Sequence, residues 1–191
     1  MEPRLTNRFR NSPIIAAVRD AKALPAAITS PCQVIFLLAA EIGTVASLVQ
    51  AVKRKGKEAL VHFDLVNGLG KDNYGLKWLA ETAEPTGVIT TRAPLVARAR
   101  SLGLVTVQRS FLVDSQSVQV TMEQILKTPP DFLEVLPGIA PDGIRLLAAQ
   151  AGCPIIAGGL IRTAAQVKAA LAAGAVAIST SDEGLWYRPG F

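Results

Sequence analysis

Apolar residues along this chain fall into short runs separated by stretches of helical period. The runs lie at residues 13–18, 33–39, 59–66, 87–91, 104–112, 132–136, 154–157 and 175–180. Each is nearly continuous in apolar character, which is the pattern of strands covered on both faces of a parallel sheet. Between them, Leu76, Leu79, Ala80 and Ala83, or Val118, Met122, Ile125 and Leu126, recur at three- and four-residue spacing and predict amphipathic helices. Local signals agree. Thr163 and Gln166 have capping-box spacing, Gly174 closes the helix they open, Pro94 suits a first turn, and Gly56 and Gly103 stand where helices should stop.

Eight strand-then-helix repeats close most simply into a barrel. The expected fold is α/β, a compact (β/α)8 TIM-like barrel forming a single domain over residues 1–191. Residues 182–191 are too few for a full outer helix, so the eighth helix should be short or missing. An open doubly wound sheet is the alternative. It would want a glycine fingerprint after the first strand, where Val18 instead leads into Arg19 and Asp20.

Composition narrows this picture. With 50% hydrophobic and 18% charged residues the chain can build a sizeable core and is not disordered. Cys32 and Cys153 do not read as a disulfide framework, and His62 is the single histidine, so no metal site and no cofactor are expected. Residues 1–12 lack a signal-peptide core and no run of about 18 apolar residues marks a membrane span, giving a cytoplasmic expectation with no membrane partner. The net charge of +5 permits an acidic partner such as RNA. Basic residues cluster at Arg4, Arg8 and Arg10, at Lys53, Arg54, Lys55 and Lys57, and at Arg92, Arg98 and Arg100. The second cluster ends a helix, where cations also complement the helix dipole.

In such a barrel the polar residues at the C-terminal ends of the strands converge on one mouth. Arg19 ends the first strand. The third carries His62 and Asp64, which alternation places on one face, followed by a glycine-bearing loop with Lys71 that would suit a lid. Thr90, Thr91 and Arg92 follow the fourth, Gln108 and Arg109 the fifth, and Glu134 the sixth. Gly158-Gly159 and Ser179-Thr180-Ser181 end the last two strands, the usual phosphate position of this architecture, because small residues let backbone N–H groups close on an anion. Asp64 and Glu134 either meet a ligand or sit in an ion network with Arg109 or Arg92. His62 is a catalyst or a satisfied core donor.

The strings VHFDLVNGLGKDNYG (61–75), GVITTR (87–92), QRSFLVDS (108–115), DFLEVLPGIAP (131–141), PIIAGGLIRT (154–163) and GAVAISTS (174–181) resemble the glycerol uptake operon antiterminator family, in the same order. The resemblance implies a sensor of glycerol 3-phosphate that binds the leader of a glycerol-catabolic messenger RNA and prevents premature termination of transcription, with no catalytic residues. It implies that Gly158, Gly159, Ser179, Thr180 and Ser181 hold the phosphate, supported by Arg162, and that Arg19, Asp64 and Glu134 face the glycerol end. A carboxylate only accepts hydrogen bonds, so it suits hydroxyls and repels a phosphate. RNA contact would fall to Arg92, Arg98 and Arg100 or to Lys53, Arg54 and Lys55, since Trp78, Trp186 and two tyrosines leave little for base stacking. An isologous homodimer is the default for a small RNA binder. After the second strand the chain carries Ala39-Ala40-Glu41-Ile42-Gly43, a departure from the small polar turn of the family. The competing class is a phosphosugar isomerase or lyase, with Asp64 or Glu134 as general base. A third reading is a phospho-ligand binder that acts on a protein partner.

Overall fold

The computed structural model describes residues 3–191. A closed barrel of parallel strands is formed in the order β1 (Ile14–Val18), β2 (Val34–Leu37), β4 (Glu58–His62), β6 (Gly87–Thr90), β7 (Val105–Phe111), β8 (Phe132–Leu136), β9 (Ile155–Gly158) and β10 (Ala175–Thr180), with β10 returning to β1. Closure removes the open doubly wound alternative. The strand runs read from sequence all reappear, most of them trimmed by a residue or two at their ends.

Helices α2 (Leu24–Thr29), α3 (Val45–Lys53), α4 (Asn73–Trp78), α5 (Ala93–Ser101), α6 (Ser115–Lys127), α7 (Pro141–Gln150) and α8 (Ala164–Ala172) connect successive barrel strands. Their start and stop chemistry is visible. Thr163 accepts from the Gln166 N–H while the Gln166 side chain accepts from the Thr163 N–H, a reciprocal cap on α8. The eighth position holds only α9 (Glu183–Trp186), and the chain after it descends along the outer side of the barrel. Trp186 anchors that descent, its indole N–H donating to the Thr180 carbonyl at 2.8 Å.

The core has two layers, as a barrel requires. One lies between sheet and helices, with Val49, Leu76, Ile144 and Val167 fully buried against the outward strand positions. The other fills the barrel, where Ile15, Phe36, Leu60, Ile89, Val107, Phe132 and Ile156 meet.

An N-terminal helix not anticipated from the hydrophobic pattern closes the end where the strands begin. In α1 (Pro3–Asn11), Leu5 and Phe9 share one face at i, i+4 spacing, and both are buried under the barrel interior. The Phe9 ring meets Phe132 edge to face at 5.4 Å. Burial of two such side chains stabilises the plug by about 1.5–3 kcal/mol each. Arg8 fixes its orientation by donating to Gln33 and to the Gly56 carbonyl and pairing with the buried Glu58. Arg4 belongs to the described helix, but its side chain lies outside the described residues.

One strand ends earlier than its sequence suggests. β4 stops at His62, and a 3-10 turn over Phe63–Leu65 leads into the two-residue β5 (Val66–Asn67). β5 pairs with β3 (Ala40–Glu41) to make a small parallel sheet at the mouth. The unusual loop after β2 therefore serves as a structural rim piece. The same turn breaks the alternation that would have set His62 and Asp64 on one face.

Candidate functional site

Strand parity decides what enters the mouth. On β7, Val105 and Val107 point into the barrel, so Arg109 does too, while Gln108 turns outward and bonds Gln124 of α6 at 2.9 Å. On β8 the inward set is Phe132 and Glu134, and on β10 it is Ala177 and Ser179. Glu134 is wholly buried at the floor. Its Oε2 accepts from Arg109 Nε at 2.6 Å and its Oε1 from the Ser179 hydroxyl at 2.5 Å. Gly158 makes room for this pair: a Cβ there would lie 2.4 Å from Ser179 Oγ and 2.7 Å from Glu134 Oε1. Among the described residues the terminal nitrogens of Arg109 have no partner, although its side chain is only 10% exposed.

Above this floor opens a cavity of about 700 Å³. Arg19, Arg109, Arg162 and Asp182 give it charge, Ser181 a rim hydroxyl, and Leu38, Leu65, Leu136 and Leu160 apolar walls. After β9 the backbone turns through Gly159 and Leu160 with φ of +76° and +63°. Glycine adopts that conformation at no steric cost, whereas for Leu160 it stores about 1–3 kcal/mol, held by the surrounding loop. Among the described residues the N–H groups of Leu160, Ile161 and Ser181 have no hydrogen-bond acceptor. Unpaired N–H groups gathered in one concavity favour an anion. Thr180 Oγ1 donates to the Ile161 carbonyl at 2.8 Å, which ties the two loops to each other.

Most of the candidate phosphate residues are brought together. Gly159, Arg162, Ser179, Thr180 and Ser181 all line the cavity, with Gly158 packed beneath it. Their hydroxyls divide: Ser179 and Thr180 spend theirs on Glu134 and on Ile161, leaving backbone, Ser181 and Arg162 to face the cavity. Arg19 and Glu134 also line the cavity. Asp64 does not. Its carboxylate accepts from the Thr90 hydroxyl and from the Thr91 N–H and hydroxyl, and pairs with Arg92 at 3.7 Å, in the neighbouring sector of the rim.

Lys71 is turned inward. Its ammonium donates to the Phe63 carbonyl at 3.1 Å and to the Val66 carbonyl, lies 5.7 Å from the Phe63 ring centre, and pins the loop down. Burial lowers its pKa from the usual lysine value, against the raising effect of Asp64. His62 is buried below the mouth, where burial and then the Arg109 charge lower its pKa to about 4. It is neutral at physiological pH, and among the described residues its Nδ1 has no partner. The inward parity of Arg109 was the signal for its place on the cavity wall; Leu160 and Asp182 carried no comparable mark.

The basic clusters separate. Arg92 belongs to the mouth and donates to the Lys71 carbonyl. Arg98 and Arg100 lie at the far end of α5, about 12 Å along the helix from Arg92 to Arg100. There Arg100 pairs with Asp131, ahead of β8. Lys53, Arg54 and Lys55 lie at that same end, Lys53 donating to the Glu84 carbonyl at 2.8 Å. Among the described residues no group of His, Cys, Asp and Glu is arranged to hold a metal, and no helix is long and apolar enough to cross a membrane.

Fold and mouth together define a (β/α)8 barrel with an anion-suited pocket at the C-terminal ends of its strands. Residues 14–186 match the family described as glycerol-3-phosphate responsive antiterminator, and the chain belongs to that family. It is similar to the crystal structure of a glycerol uptake operon antiterminator regulatory protein from Listeria monocytogenes, with 34% identity, TM-score 0.89, and coverage of 92% of this chain and 95% of that one. The glycerol uptake operon antiterminator-related protein of Thermotoga maritima shows 33% identity and TM-score 0.81 over 91% and 96%. The uncharacterized protein YgcP of Escherichia coli K12 is 36% identical over 95% of both chains.

Proposed function

We propose that this chain is a glycerol 3-phosphate-responsive antiterminator that binds the leader messenger RNA of a glycerol-catabolic operon and prevents premature termination, with the barrel mouth as its effector site. The family membership supports the class. The observation that carries the site is the set of unpaired N–H groups at Leu160, Ile161 and Ser181 beside Arg162, suited to a phosphate. The ligand's hydroxyls then face the Arg19 and Arg109 side of the cavity. Glu134, whose two oxygens are already occupied, orients Arg109. Asp64 braces the rim through Arg92.

The isomerase or lyase reading takes Asp64 or Glu134 as its general base, and both carboxylates are engaged, while His62 lies buried below the mouth with its pKa lowered to about 4. Glu134 is held by Arg109 and Ser179, Asp64 by Thr90, Thr91 and Arg92, and the Lys71 ammonium by carbonyls. A ligand that binds one conformation better shifts the population able to engage RNA, without chemistry. Glycerol 3-phosphate at about 100 times its dissociation constant should stabilise the fold by about 2.7 kcal/mol, a rise in Tm of about 5–11 °C for a domain of this size. No rise at millimolar ligand would sink the effector assignment, and ligand consumed over hours would favour the enzyme.

A further inference from the structure

The surplus of +5 is unevenly placed on the barrel. At the mouth, Arg19, Lys71, Arg92, Arg109 and Arg162 meet Asp20, Asp64, Glu134 and Asp182, and the same loops add Asp72, Asp114 and Asp142, which leaves acidic groups in excess. The opposite end, where strands begin and helices finish, collects Lys53 at the end of α3 with Arg54 and Lys55 after it, Arg98 and Arg100 in the last turn of α5, and Arg8 and Arg10 in the last turn of α1, against which stand Glu58, paired with Arg8, and Asp131, paired with Arg100. The mouth would repel a polyanion. The opposite end would attract one.

That end also holds a second concavity of about 530 Å³, between the starts of β1 and β2 and the residues after α9. Pro13, Gln33, Tyr187 and Arg188 are among its walls. Tyr187 is fixed in place, since its hydroxyl donates to the Ala26 carbonyl at 2.8 Å and lies 2.9 Å from the Thr29 hydroxyl, yet the residue remains 48% exposed. A ring held by its polar tip with its body in water is a stacking platform ordered in advance. Arg8 joins the groove to the basic loop: one terminal nitrogen donates to Gln33 on the groove wall, the other to the Gly56 carbonyl next to Lys53, Arg54 and Lys55.

We propose that this end of the barrel binds single-stranded RNA, with a base on the Tyr187 ring and phosphates on Arg54 and Lys55, so that effector and RNA occupy opposite ends of one barrel. Cations alone would suit any polyanion. An anchored aromatic beside them is what a nucleobase uses and an acidic polypeptide does not. The placement rests on the antiterminator reading and adds to it where the RNA lies: the two ligands do not compete for space, and any coupling runs through the strands.

Fluorescence anisotropy with a labelled transcript of the host's glycerol-operon leader tests it, over a series of salt concentrations. Tyr187→Ala should weaken binding about 5- to 150-fold, from about 1–3 kcal/mol per stacked base, while Tyr187→Phe, which keeps the ring but loses its anchor, should weaken binding less than Tyr187→Ala does. The exposed pair Arg54→Ala/Lys55→Ala should make the slope of log K against log salt shallower by about 1.4. All of these variants should keep the glycerol 3-phosphate melting shift. Wild-type affinity and slope in both Tyr187→Ala and the basic pair overturn the placement, as does loss of the melting shift in the folded basic-pair variant. A wild-type chain that leaves the transcript unbound overturns instead the antiterminator reading itself.

Discussion

Gly158 is the residue at which the smallest change should disturb the floor of the mouth most. Gly158→Ala adds one methyl group, placed 2.4 Å from Ser179 Oγ and 2.7 Å from Glu134 Oε1, where carbon and oxygen normally keep beyond about 3 Å. The backbone is no obstacle, because Gly158 lies in β9 and has no positive φ. The cost is steric and falls on a buried charged hydrogen bond. Either the Ser179 hydroxyl swings away from Glu134, losing about 1.5–3 kcal/mol, or the interior is overpacked by about 1–3 kcal/mol. At about 2–4 °C per kcal/mol the Tm should fall by about 2–12 °C. Gly43→Ala is the control, since a Cβ there meets nothing within 4 Å at ordinary backbone angles, and its Tm should not fall. Calorimetric melts of the three proteins, each with and without glycerol 3-phosphate, read both effects. Equal Tm for Gly158→Ala and wild type, with an undiminished ligand shift, would refute the claim that Gly158 is reserved for the Glu134 network.

Other outcomes follow from single contacts. Phe9→Ala removes the plug's ring from Phe132 and should cost about 3–5 kcal/mol in urea unfolding. His62 takes up its proton at about pH 4 when folded and about 6.5 when unfolded. The unfolded chain therefore holds more protons in that window, and the contribution of about 3 kcal/mol, complete above pH 6.5, is lost as pH falls toward 4. In His62→Gln the loss of stability across this window should shrink, as pH-dependent urea midpoints would show. Arg162→Ala should weaken glycerol 3-phosphate about tenfold by titration calorimetry while leaving the ligand-free Tm unchanged, because the side chain is exposed.

The barrel was legible because its strands are apolar on both faces and its helices carry their own starts and stops, as at Thr163 and Gln166 for the one and Gly103 and Gly174 for the other. That Gly159, Ser179, Thr180 and Ser181 would meet at one cavity was legible because they end the last two strands of the barrel. Which of their groups stay free was not, since the Ser179 and Thr180 hydroxyls are claimed by Glu134 and Ile161 across the fold. Asp64 misled by periodicity: a two-residue alternation assumes the strand continues, and a 3-10 turn after His62 sends it to Arg92. The α1 plug went unread because Leu5 and Phe9 make too short an apolar stripe for a helix to announce itself, and the barrel end it fills supplies the reason for it. Neighbours in sequence also need not be neighbours in function, as Arg92 and Arg100 at opposite ends of α5 make plain.

The central claim is that ligand at the mouth governs RNA binding. Retardation of the host's glycerol-operon leader transcript should be measured across a protein titration, with and without saturating glycerol 3-phosphate. The account predicts about 5- to 150-fold tighter binding with ligand, the range of ordinary coupling between sites. Equal affinity in the two titrations, or no retardation in either, would contradict it.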